Sequence, residues 1–152
     1  MYATRTVAAL GLVAGLLTLA ACAPSQDDAM PEAGEGAALF VDNCAICHGA
    51  DGRGADGSGA MPAKGLSPAA DLTRLSAGNQ GVFPRVHVLS VIDGYNRGAL
   101  GASRMPEFGG FLGGETVPVA LTVAAEGDEM QLTPVPRNLA ALVAYLETIQ
   151  VP

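Results

Sequence analysis

Cys44-Ala45-Ile46-Cys47-His48 is the stretch from which the rest of the chain can be read. On a helical turn, residues i and i+3 share a face, so both thiols point the same way and the adjacent imidazole follows on the adjoining side. This C-x-x-C-H spacing is the signature of covalent haem attachment. Two sulfurs reach the two vinyl groups on one porphyrin edge while His48 is brought beneath the iron. A zinc half-site would need two further Cys or His at ligand spacing, and only His87 is left once Cys22 is assigned below. A thioredoxin-like redox pair would sit in a strand-loop-helix context that these flanks do not offer.

Working outward, Gly36, Leu39, Phe40 and Asn43 precede the pentapeptide, and Gly49, Asp51, Gly52 and Gly54 follow it. This pattern closely resembles the N-terminal part of class I cytochromes c, and the resemblance covers about residues 36 to 112 and 137 to 150. It implies an all-α cytochrome c fold whose N- and C-terminal helices cross near a right angle, with Gly36 and Phe40 meeting Leu142 and Tyr145. It also implies one covalent haem c with its iron, and a proline whose carbonyl receives the free ring N–H of the haem histidine. Pro68 is the preferred match to that proline, with Pro62 as the other candidate.

The local signals agree with this architecture. Pro31 suits a first helical turn, Glu32 and Glu35 suit its positive end, and the helix is expected to reach about Cys47 before Gly49 stops it. A middle helix is predicted from about Pro84 to Asp93, ended by Gly94. Pro136 opens a last helix through Ile149, with Leu139, Leu142, Leu146 and Ile149 at helical spacing. Between ligand loop and last helix the chain departs from the simplest family pattern. Residues 116–123 and 129–133 alternate, Glu126-Gly127-Asp128 supplies a turn, and together they predict a small β-hairpin insertion over about 116–134.

A second axial ligand is expected on the opposite haem face, from Met61, Met105, Met130 or His87. Met105 is preferred, because the following Pro106 restricts it to extended backbone. The run Arg104-Met105-Pro106-Glu107-Phe108-Gly109 also resembles the ligand loop of bacterial class I cytochromes c. His87, between Val86 and Val88, reads as an exposed or satisfied helix residue.

At the N-terminus, Arg5 precedes an apolar run from Val7 to Leu19 that ends in Ala20-Ala21-Cys22, the layout of a secretory signal. Leu19-Ala20-Ala21-Cys22 also resembles the lipobox of bacterial lipoproteins, which implies cleavage before Cys22 and lipidation of its thiol. The alternatives are a cleavage that releases a soluble periplasmic protein and an uncleaved anchor, although a span wants about 20 residues and this run is shorter. The expected organisation is a signal over 1–21, an acidic, proline-containing linker over 22–34 and a cytochrome c domain over 35–152. Three cysteines are thereby assigned without a disulfide.

Of eight basic residues only Arg5 precedes Cys22, whereas all fifteen acidic residues follow it, so the part from Cys22 onward carries about −8 before any haem is counted. Such a charge argues against nucleic acid and for redox proteins with basic docking surfaces. The expected function is electron transfer, not catalysis: a lipid-anchored protein on the periplasmic side of a bacterial envelope, shuttling between respiratory or photosynthetic partners. The alternative is a permanent haem subunit of a dehydrogenase, reductase or oxidase complex. A third possibility, a gas-binding or peroxidatic haem protein, would require an open sixth position.

Overall fold

The computed structural model describes residues 31–54, 68–95, 105–122 and 131–152. Their elements are helices α1 (Ala33–Asn43), α2 (Ala45–His48), α3 (Arg85–Asp93) and α4 (Arg137–Thr148), and strands β1 (Thr116–Ala120) and β2 (Leu132–Pro136). Two short 3₁₀ turns, Leu72–Arg74 and Ala77–Asn79, lie between α2 and α3.

The principal helix pair is α1 on α4. Gly36 faces the Ala141 carbonyl so closely that an added Cβ would collide with it, and would lie 2.7 Å from Tyr145 Cβ. That approach brings the Phe40 and Tyr145 rings together, with centroids 5.2 Å apart and planes tilted by 49°, within the range of favourable aromatic pairs. Phe40, Leu139, Leu142, Val143 and Val117 are the largest fully buried side chains. Each such burial contributes about 1.5–3 kcal/mol, which makes this layer the main source of cohesion. The Arg137 guanidinium donates to Glu35 at 3.0 Å, tying the first turns of the two helices.

The expected single helix through Cys47 is instead two pieces broken at Cys44, whose φ of −116° leaves the helical range. The N–H groups of Cys47 and His48 both donate to the Cys44 carbonyl, at 3.1 and 2.9 Å, so a tight new turn begins there. Gly49, with φ 76°, ends α2 in a conformation that other residues adopt only under strain. The helix predicted up to Asp93 is observed as α3, with Gly94 at φ 104° as its cap.

The hairpin is present as well. Strands β1 and β2 pair antiparallel in the register Thr116↔Pro136, Val117↔Val135, Pro118↔Pro134, Val119↔Thr133, Ala120↔Leu132. The second strand lies further along the chain than residues 129–133, and the turn residues 126–128 fall outside the described residues. Pro118, Pro134 and Pro136 all have the same parity in this register, which suits them to positions whose N–H would point away from the partner strand. Val117, Val119 and Val135 turn into the core. The ribbon runs directly into α4, whose first N–H, that of Arg137, donates to the Glu115 carbonyl at 2.8 Å. One side chain joins α3, α4 and β1: Arg85 donates to both carboxylate oxygens of Glu147, at 2.8 and 2.9 Å, and to the Ala120 carbonyl at 3.0 Å.

Candidate haem-attachment site

The break at Cys44 decides how the two thiols are presented. Cys44 remains hydrogen-bonded to α1 through its N–H on the Phe40 carbonyl, 2.8 Å away, and packs against the core. Cys47, one turn on, is exposed. Neither is in a disulfide. Burial, reinforced by repulsion from Cys47, pushes the Cys44 thiol up to about 11, so it is a neutral thiol near pH 7.

His48 Nδ1 lies 3.0 Å from the Ala70 carbonyl oxygen. A carbonyl can only accept, so Nδ1 carries a proton, and the neutral ring bonded in this way has its lone pair on Nε2. That is the tautomer a metal-ligating imidazole needs. The acceptor differs from the expected Pro68 and lies two residues further on; Pro68 itself is exposed. The cause is the way the backbone is tied. Leu72 N–H donates to the Gly52 carbonyl at 2.7 Å, and the Asp71 carboxylate accepts from Thr73 N–H at 2.9 Å and Thr73 Oγ1 at 2.6 Å. Gly54 lies against the Ala69 and Ala70 carbonyls, where a Cβ would collide. These ties bring Ala70, and not Pro68, to the imidazole. Pro62 lies outside the described residues.

Met105 is half-buried and packs against the core cluster. The loop that carries it is held to the end of α3, because Phe108 and Gly109 N–H donate to the Ile92 and Asp93 carbonyls at 2.9 and 3.1 Å. His87 is exposed on α3 and lines an open groove with Val82, Phe83, Val86 and Leu121 that includes none of Cys44, Cys47, His48 and Met105. Met61, Met130 and Cys22 lie outside the described residues, as do the signal over 1–21 and most of the linker over 22–34. Sequence reasoning missed Ala70, and no side-chain signal could have found it, since its contribution is a backbone carbonyl.

Two cysteines three residues apart, neither in a disulfide, followed by an imidazole bonded to backbone through Nδ1, form a donor set suited to a covalently held haem. A family model described as Cytochrome c matches residues 33–109, half of the 152-residue chain. No curated protein and no solved structure gives a significant match.

Proposed function

Since the chain belongs to the cytochrome c family, and with it binds covalent haem c and transfers electrons, we propose that it is a bacterial class I carrier with one haem, ligated by His48 and Met105. The observation that carries this reading is the bond from His48 Nδ1 to the Ala70 carbonyl, which fixes the ring and leaves Nε2 for iron. Cys44 and Cys47 supply the two thioether sulfurs. Met105 supplies the opposite ligand from a loop anchored through Phe108 and Gly109. When bound, the haem supplies a reversible one-electron change at iron, and Met/His ligation raises the potential of such a centre.

With both axial positions filled by protein, electrons leave and enter during brief contacts with partners through small interfaces. The excess of acidic residues favours partners with basic surfaces. Cys22 carries lipid and holds the domain on the periplasmic side of a membrane. Two or more acyl chains give a stable anchor where one gives only marginal binding.

Optical spectra of the oxidised and reduced protein test the ligation. The oxidised protein is expected to show the sulfur-to-iron charge-transfer band, which disappears in Met105→Ala and survives in His87→Ala. Ready binding of carbon monoxide to the reduced wild-type protein would overturn Met105 as ligand. Cys22→Ser is expected to move the protein from the membrane to the soluble fraction of the cell envelope, and retention in the membrane would overturn the anchor.

A further inference from the structure

The acceptor of the His48 ring proton is a backbone carbonyl, so its position can be set only through the residues around it. Gln150, just beyond α4, holds the backbone that begins two residues after that carbonyl. Its Nε2 donates to the Leu72 carbonyl at 2.8 Å and to the Leu146 carbonyl at 2.7 Å, while its Oε1 accepts from Ser76 N–H at 2.9 Å. One side chain therefore ties the 3₁₀ turn that follows Ala70 to the last turn of α4, whose Leu142, Val143 and Leu146 are fixed in the core. The flanking residues reinforce the clamp: Val151 N–H donates to the Thr73 carbonyl at 2.8 Å, and Ile149 Cδ1 sits 2.9 Å from where a Gly52 Cβ would be.

We infer that Gln150 is a positioning residue for the haem ligand: by clamping Leu72 and Ser76 to α4 it holds the Ala70 carbonyl on His48 Nδ1 and so tunes the iron's reduction potential. The inference rests on His48 being an axial ligand, as proposed above. A hydrogen bond to Nδ1–H fixes the ring's orientation and raises the ligand's basicity. A more basic imidazole stabilises the higher charge on oxidised iron. Loosening the clamp weakens that bond and favours the reduced form.

The test uses the mature protein with haem attached. In Gln150→Ala the midpoint potential is expected to shift upward, and the His48 Nδ1–H resonance to exchange faster with solvent. Glu147→Gln, one turn earlier on α4, breaks the pair with Arg85 and serves as the comparison. It is expected to lower stability while leaving both readouts in place. Gln150→Met keeps the side chain's length without its donor or acceptor and adds no charge. Its potential is therefore also expected to lie above wild type, a readout that remains if Gln150→Ala does not accumulate. Unchanged potential and exchange in the Gln150 variants, or an equal shift in Glu147→Gln, would overturn the inference. The ligand assignment fails separately, if His48→Ala keeps the wild-type potential and spectrum.

Discussion

Gly36 lies directly against the carbonyl of Ala141, so the crossing of α1 and α4 has no room for even one added carbon. In a helix, Gly→Ala ordinarily gains up to about 1 kcal/mol, but Gly36→Ala must push the two backbones apart. A net loss of about 2 kcal/mol or more is expected, the usual cost of overpacking enlarged by the rigidity of the backbone neighbour. Gly34, on the same helix, has nothing within 4 Å of its missing Cβ, so Gly34→Ala is expected to stabilise by about 0.5 kcal/mol. Denaturant midpoints of the two variants should move in opposite directions.

Arg85 binds Glu147 in bidentate fashion and also caps the Ala120 carbonyl. A lysine keeps the charge but not the fork. Arg85→Lys is expected to cost about 1 kcal/mol, with Glu147→Gln similar, since the pair is partly solvated. A double-mutant cycle should return a coupling of about 0.5–1.5 kcal/mol. Strict additivity would show that the Arg85–Glu147 pair adds nothing to the packing of α3 on α4.

Asp71 is held below the usual carboxylate range, chiefly by the hydrogen bond from the Thr73 hydroxyl, with the Thr73 N–H and the charges of Arg53 and Arg74 adding to it. Its folded pKa is depressed, so its contribution is complete above the unfolded value near 3.9 and is lost as pH falls through the lower folded value. Asp71→Asn should therefore lower stability at pH 7 and flatten the acid limb of the stability curve below about pH 4. Parallel acid limbs for variant and wild type would refute this.

Before haem is attached, the two thiols should differ in reactivity. With its pKa near 11, only about one Cys44 in a thousand is thiolate at pH 8, and it is half-buried where Cys47 is exposed. Iodoacetamide added to the haem-free chain is expected to label Cys47 first, as mass spectrometry of the peptide spanning both would show. Equal rates would mean that this turn is not formed without haem. After maturation neither thiol should react, and Cys44→Ala with Cys47→Ala in one chain should leave no haem that survives denaturing extraction.

Much of this was legible because local chemistry and global fold agree. The C-x-x-C-H spacing names its own chemistry, Gly94 stops α3 where a left-handed cap is needed, and Gly36, Phe40 and Tyr145 meet as the family resemblance implied. What was not legible lies in the backbone. Nothing in its side chain marks Cys44 as a break, because its departure from helical φ arises from the turn that closes on its carbonyl. Alternation placed β2 at 129–133, but the observed strand ends at Pro136 and runs straight into the Arg137–Glu115 bond. Ala70 and Gln150 escaped for related reasons: any residue can offer a carbonyl, and a glutamine beyond a helix reads as ordinary surface.

The pairing of Pro118 with Pro134 reaches beyond the hairpin itself. An exposed two-stranded ribbon offers both its margins to any extended peptide nearby, including those of unfolded neighbours. Prolines on both margins remove donors that such a peptide would need. The insertion can therefore keep two open margins beside the helical body without becoming a seed for fibrils.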